Sequence, residues 1–230
     1  MLLRVIIKNF LSFNGLEQFD LFPNHKRVTH SHHIYQHSPN PDVLKMSVIY
    51  GANGAGKSNL IKALSFVKRF VLSDTFLDAD SIKNWKFCLK PQKANEPLFL
   101  AIEYETEERE VFLYSVEIND NGIQKEILKT SGTNNPGVEI FVRTAIEVTL
   151  RGDITKEMRE IIRNWVIEHP FASLFTINSN VQLLNDAAIT SSQKWFGEKL
   201  KVVGLNSLPG YHHQIEATSQ TVEICNGHVF

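Results

Sequence analysis

Two amphipathic helices stand out in the pattern of apolar and polar residues. From Asn59 to Leu72 the apolar residues recur at helical spacing, and they do so again from Thr155 to Glu168. Asp153 or Thr155 can cap the second helix, and Pro170 follows its end. Each pattern predicts a helix with one buried face.

Alternating segments predict antiparallel strands around these helices. Residues 2–10 and 16–22 are predicted to pair across a turn at Asn14-Gly15, and residues 98–104, 111–118 and 123–128 to form a meander. The glutamates at 103–110 are interpreted as the solvent-facing side and turn of that meander. Shorter strands are predicted at 85–89, 138–142 and 145–150, and a short helix around Trp195-Phe196.

A glycine-rich loop precedes the first helix. Met46–Tyr50 is a short apolar run predicted to be a buried strand, and Gly51–Ser58 after it fits the pattern G-x-x-x-x-G-K-[ST]. Strand, loop and helix follow in the order that a phosphate-binding loop requires. The alternative, a glycine turn with an incidental lysine, explains neither the residue order nor the flanking periodicity.

Glycines let such a backbone bring its N–H groups up to phosphate oxygens, and the helix N-terminus adds partial positive charge. Lys57 is predicted to reach the β- and γ-phosphates of a nucleotide, and the Ser58 hydroxyl to bind Mg²⁺. The predicted nucleotide-binding residues are Gly51, Ala52, Asn53, Gly54, Ala55, Gly56, Lys57, Ser58 and Asn59.

Composition indicates a globular protein of one large or two small domains, because 43% of its 230 residues are hydrophobic and 21% are charged. The net charge of -1 gives no global basic field for nucleic acid, although a local patch stays open. Lys194, Lys199 and Lys201 form a modest basic group, interpreted as a solvated helix face. The widely spaced Cys88 and Cys225 favour free thiols in a reducing cytoplasm. The sequence contains no run of about 18 apolar residues, so no membrane span is predicted.

Four histidines fall within the eight residues from His30 to His37. No cysteine and no helically spaced carboxylates accompany them to complete a tetrahedral metal site. The segment is therefore interpreted as a polar surface excursion. Metal binding and ring contacts with a nucleotide base are kept as alternatives.

Lys8–Phe13, followed by Ile49–Leu64, resembles the start of an ATP-binding-cassette ATPase. The resemblance is to the soluble branch that contains the structural-maintenance-of-chromosomes and RecF proteins and their double-strand-break-repair relatives. It is closest to bacterial AAA-family ATPases related to overcoming-lysogenization-defect proteins, many of which serve in phage defence. It spans most of residues 1–205 and is strongest over 1–72.

This resemblance implies an α/β fold, in which a phosphate-loop core carries an antiparallel β-hairpin subdomain as the first lobe of the ATPase. The implied division is a lobe at 1–205, made of a nucleotide-binding core (1–72), a β-subdomain (85–150) and a helical part (151–205). Residues 206–230 are an irregular tail or the start of a second lobe.

The resemblance also implies further site residues. Asn9, Leu11 and Ser12 occupy the place after the first strand that approaches the nucleotide, although the repair relatives often have arginine where Leu11 stands. Gln182 is the candidate for the glutamine that senses Mg²⁺ and the attacking water. An ordinary exposed glutamine is the alternative at that position.

The chain departs from the family in two motifs. No apolar run ending in Asp-Glu follows residue 58, and no L-S-G-G-Q-like signature is present. Without those carboxylates, Mg²⁺ loses a holder and water loses its general base. The chain is therefore expected to bind ATP but not to hydrolyse it alone, as a fragment of a longer ATPase or as a short protein with a partner.

Three functions follow as predictions. The first is an ATPase head that works as a homodimer, or with a complementary lobe or nuclease effector, in a DNA-related or anti-phage role. The second is a non-hydrolytic nucleotide-binding module that gates a partner. The third is another phosphate-loop enzyme, a GTPase or a small-molecule kinase. The chain lacks the N-K-x-D motif of a GTPase. It also shows no arginine-bearing kinase lid, since Arg159 and Arg163 fit a solvated helix face.

Overall fold

A seven-stranded antiparallel sheet forms the body of the protein, with the strand order β2-β1-β5-β6-β7-β8-β9. The structure is a computed structural model that describes residues 1–24, 26, 29–36, 40–89, 96–132, 137–181 and 186–203. The sheet strands are β1 (Leu2–Lys8), β2 (Glu17–Asp20), β5 (Leu98–Glu105), β6 (Val111–Asn119), β7 (Gly122–Thr130), β8 (Glu139–Thr144) and β9 (Val148–Leu150). A small hairpin pairs β3 (Ile34–Tyr35) with β4 (Val43–Leu44).

Helices lie between and after the strands. They are α1 (Lys57–Leu72), α2 (Lys156–Glu168), α3 (Leu174–Val181) and α4 (Ala187–Lys194), which continues into a π-helical turn at Trp195–Lys199. Helix α2 confirms the predicted helix, including its cap, because the Thr155 hydroxyl accepts a hydrogen bond from Met158 N at 3.2 Å. Two 3₁₀ turns are formed by Ser31–His33 and Ile82–Trp85.

Aromatic side chains join the helices to one face of the sheet. Tyr104 of β5 stacks on Trp195 with ring centroids 4.2 Å apart, and Phe141 of β8 meets Phe175 of α3 edge to face at 5.4 Å. Helix α1 packs its buried face into the same core. Its Lys68 donates to the carbonyl oxygen of Leu200 at 2.6 Å. The loop before α1 is thereby attached to the main core.

The predicted strand at Met46–Tyr50 is wrong. These residues form no strand, and Met46, Val48 and Tyr50 are 64%, 71% and 90% exposed. A strand needs a neighbour to pair with, and the described part of the chain places none beside this segment. The predicted strand at 85–89 is also wrong, since Trp85 ends a 3₁₀ turn and Leu89 is exposed.

The glutamates of the meander are not all solvent-facing. Glu103 and Glu105 are buried, because β5 lies between β1 and β6 in the sheet. Glu103 pairs with Arg4 at 3.2 Å and accepts a hydrogen bond from Ser131 at 2.5 Å. Glu107, Glu108 and Glu110 are exposed, as predicted.

The fold is mixed α/β with a mostly antiparallel sheet. The predicted hairpins exist, but they continue one sheet with β1 and β2, so a separate β-subdomain is not confirmed. A phosphate-loop core built on a preceding strand is not confirmed either. None of the helices in the described ranges is long and apolar enough to cross a membrane.

Candidate functional site

The glycine loop turns sharply into α1 at Gly56. Gly54 and Gly56 have φ angles of +82° and +90°, in the left-handed region that favours glycine. A Cβ atom on Gly56 would lie 2.9 Å from Ser12 Oγ and 3.5 Å from Phe13 Cζ. Glycine is therefore required at position 56 for two reasons, the left-handed backbone angle and the close approach of the turn after β1.

Lys57 closes the loop. Its ammonium donates to the carbonyl oxygens of Gly51 at 2.7 Å and Ala52 at 2.9 Å. The side chain thus reaches back across the mouth of the loop instead of extending into solvent. A flexible stem lets the ammonium exchange these carbonyls for another acceptor at the same place.

The loop contains donors that the described residues leave unpaired. Within the described residues, the N–H groups of Asn53, Gly54 and Gly56 have no acceptor, and the exposed Ser58 hydroxyl has no partner. The first turn of α1 adds its own free N–H groups and the positive end of the helix dipole. These groups fit an anionic polyphosphate, with the Ser58 oxygen available as a ligand for Mg²⁺.

The turn after β1 contacts the loop through Ser12. Its hydroxyl accepts a hydrogen bond from Asn59 Nδ2 at 2.9 Å, which joins two predicted site residues 47 positions apart. Sequence reasoning missed that Phe13 and Ser12 also limit the space at Gly56. The only sequence signal for this contact was the family resemblance of residues 9–13, which placed Ser12 near the nucleotide.

Asn9 is held inside the turn after β1, and its approach to a nucleotide stays a prediction. Its side chain is fully buried and donates to the carbonyl oxygen of Glu96 at 2.9 Å. Asn9 and Leu11 have φ angles of 52° and 48°, and Leu11 N donates to Trp85 O at 2.8 Å. These two residues shape the turn that carries Ser12.

The remaining predicted catalytic group, Gln182, lies outside the described residues. Neither Lys57 nor Ser58 contacts a carboxylate in the part of the chain that the structure describes. The described geometry therefore brings together a loop, a lysine, a serine and the Ser12–Asn59 pair.

Residues 46–144 match the family model described as "AAA domain, putative AbiEii toxin, Type IV TA system". The matched range contains the whole glycine loop, α1 and the strands from β5 to β8. The match supports an ATPase-type domain of the AAA and phosphate-loop class, and such domains generally bind ATP with Mg²⁺. No curated protein matches the chain.

Proposed function

We propose that this chain is a nucleotide-binding ATPase domain that holds ATP and Mg²⁺ at Gly51–Ser58. The observation that carries the proposal is the loop at Gly56. There a left-handed glycine packs against Ser12, loop N–H groups have no acceptor among the described residues, and Lys57 reaches back to the loop carbonyls. The family match over residues 46–144 supports the same assignment.

Each loop group has a distinct role in this proposal. The free N–H groups of Asn53, Gly54 and Gly56 bind phosphate oxygens, and Lys57 leaves the Gly51 and Ala52 carbonyls to neutralise the β- and γ-phosphates. The Ser58 hydroxyl would hold Mg²⁺, which would supply positive charge to offset that of the phosphates. Ser12 orients Asn59 and thereby fixes the first turn of α1.

The finer assignment is a head of the structural-maintenance-of-chromosomes and RecF type, which acts in the cytoplasm as a dimer or with a partner lobe or nuclease. The motif pair at 8–13 and 49–64 supports it. The matched family is described by a putative toxin of a toxin–antitoxin system. The anti-phage output in this assignment rests on the family resemblance of the same motif pair. In this assignment Gln182 senses Mg²⁺ and the attacking water, and the partner supplies the missing carboxylates.

A second candidate is a non-hydrolytic module in which bound nucleotide gates a partner effector. It is favoured by the lack of carboxylate contacts to Lys57 and Ser58 among the described residues. Positioning alone gives binding, whereas hydrolysis also needs a group that orients or deprotonates water.

Nucleotide binding by the Lys57→Ala variant tests the proposal. Removing a charge-assisted hydrogen bond to phosphate should weaken Mg·ATP binding about tenfold to a hundredfold in calorimetry. Lys62→Ala is the matched control, because Lys62 is an exposed lysine on the same helix. Equal affinities for the Lys57 and Lys62 variants, or no ATP binding by the unaltered protein, would overturn the assignment.

Phosphate release from the same proteins separates the two candidates. Turnover that appears only when a partner chain is added supports the ATPase head. Binding without turnover in any combination supports the gating module. Turnover by the isolated chain contradicts the expectation that the catalytic carboxylates come from elsewhere.

A further inference from the structure

Three histidines converge on the surface between β2 and β3. One ligand nitrogen from each of His30, His32 and His33 lies within 4.8 Å of the others, and all three side chains are exposed. The rings of His32 and His33 are 4.1 Å apart between centroids, and His30 lies 5.8 Å and 5.9 Å from them. We call these residues the histidine triad.

The backbone of the triad is built to bring the rings to one side. His30 has a φ of +64°, which reverses the chain direction before the 3₁₀ turn Ser31–His33. His33 N donates to His30 O at 2.9 Å and closes that turn. A left-handed backbone is uncommon for a residue other than glycine, and histidine is one of the residues that adopt it most readily.

The triad is also anchored to the fold. His33 is followed by β3, which pairs with β4, and buried Val43 of β4 packs in a small cluster with Leu3 and Val111. Lys45 fixes the turn from the other strand, since its N–H donates to His33 O at 2.8 Å and its ammonium donates to His32 O at 2.9 Å. The backbone that carries the rings is therefore attached to the main sheet and does not depend on local sequence alone.

We propose that the histidine triad is a binding site for a divalent transition-metal ion of the zinc class. Neutral imidazole nitrogens are ligands that Zn²⁺, Cu²⁺ and Ni²⁺ accept, and three of them leave a fourth tetrahedral position for water. Zinc–nitrogen bonds of about 2.0–2.1 Å put tetrahedral ligand nitrogens about 3.4 Å apart. Small rotations of the exposed rings would bring the triad from its present spacing to that distance.

The environment sets the class and strength of the site. The ligands carry no negative charge, and Lys45 adds a positive charge nearby, so hard oxygen-seeking ions such as Mg²⁺ and Ca²⁺ are poor occupants. Exposure of the three histidines also predicts weaker binding than in a buried zinc site. A bound ion would link His30 to the 3₁₀ turn and so hold the start of the segment that leads through β4 toward the glycine loop.

Zinc titration of the untagged full chain tests this proposal. Competition with a chromophoric chelator should detect binding that is lost about tenfold or more in His30→Gln, His32→Gln or His33→Gln, because each removes a metal-bound nitrogen. Co²⁺ in place of zinc should give tetrahedral d–d absorption that the triad variants lack. Mg²⁺ at the same concentration should not compete.

The matched control is His169→Gln. His169 stacks on Trp165 and belongs to no metal-ligand cluster in the described residues, so its loss should leave zinc affinity unchanged. A triad variant with unaltered affinity, or a His169 variant that weakens binding equally, would overturn the proposal. Lys57→Ala should retain zinc binding, and the triad variants should retain ATP binding, so a failure here is distinct from a failure of the nucleotide site.

Discussion

At Gly56 a backbone requirement and a steric requirement fall on the same residue. Its φ of +90° disfavours any side chain, and the nearest obstacle to a Cβ atom is the Ser12 hydroxyl that already serves Asn59. A side chain at this position would either strain α1 or displace Ser12. The loop and the turn after β1 therefore depend on each other.

A glycine-to-alanine series separates these two effects. Gly54 also has a positive φ but open space around it, and Gly152 has neither constraint. We expect Gly152→Ala to be near neutral, Gly54→Ala to lose about 1–2 kcal/mol from the left-handed backbone, and Gly56→Ala to lose more. Urea denaturation measures the stability of each variant, and calorimetry with ATP measures how far the loop still binds nucleotide.

The added cost at Gly56 should come from Ser12. Adding Ser12→Ala to Gly56→Ala clears the obstacle, so the double variant should recover part of the stability that the single variant loses. If Gly56→Ala and Gly54→Ala were equally stable, the close approach to Ser12 would be energetically irrelevant.

At the scale of elements, local pattern predicted helices and hairpins better than it predicted neighbours. Helix α2 and the β5–β6–β7 meander follow directly from periodicity, capping and turn residues. Met46–Tyr50 has the apolar character of a strand, but pairing partners are set by the whole fold and are missing beside it. Glu103 and Glu105 alternate with apolar residues along β5, as the residues of a solvent-facing side do. β5 is nevertheless an inner strand, and both glutamates are buried, with Glu103 paired to Arg4.

The candidate site shows the same division. The loop Gly51–Ser58 is recognisable from spacing alone, because the motif is contiguous. The contact of Ser12 with Asn59 depends on how the turn after β1 meets α1, which no local pattern encodes. The histidine triad depends on the left-handed angle at His30, and its sequence signal was only the close spacing of the histidines.

Buried Arg143 connects the sheet to the link between α2 and α3. Its guanidinium donates to the carbonyl oxygens of His169, at 2.9 Å, and Ala172. It also lies 3.8 Å from buried Glu126, which accepts hydrogen bonds from Tyr114 and from Leu174 N at the start of α3. The pKa of Arg143 lies below its ordinary value, because the effect of burial outweighs the opposing effect of the Glu126 carboxylate.

We expect Arg143→Met to destabilise the fold by about 3–5 kcal/mol, because it leaves the Glu126 carboxylate buried without its cation. Arg163→Met on the exposed side of α2 is the matched control and should change stability by less than about 0.5 kcal/mol. Chemical denaturation compares the two. Adding Glu126→Gln to Arg143→Met should restore part of the loss, and equal stability of the two arginine variants would contradict this account.

At the scale of the molecule, distant segments are held together by a few polar contacts over an apolar core. The turn between β5 and β6 reaches the last described helix, where exposed Glu107 accepts hydrogen bonds from Lys194, at 2.7 Å, and from Lys199. Two of the three lysines interpreted as a solvated basic face thus pair with a single carboxylate, which offsets one of their two positive charges. This reduces the basic patch that could attract nucleic acid.

The Glu107 contacts predict a specific pH dependence of stability. Hydrogen bonds from Lys194 and Lys199 lower the pKa of Glu107 from 4.5 to about 2. Because the folded-state pKa is the lower one, the stabilisation is complete above pH 4.5 and is lost as the pH falls toward about 2. Urea midpoints at low ionic strength should place the unaltered protein above Glu107→Gln at pH 7, with the gap closing over that acidic interval.

Glu110→Gln is the matched control, because Glu110 is exposed in the same turn and its side chain forms no hydrogen bond or ion pair with the described residues. It should follow the unaltered protein at every pH. High salt should shrink the Glu107 effect, since exposed ion pairs are screened within about 10 Å at 0.1 M ionic strength and more strongly above it. A gap that persists unchanged at pH 2 would mean that Glu107 acts through packing and not through its charge.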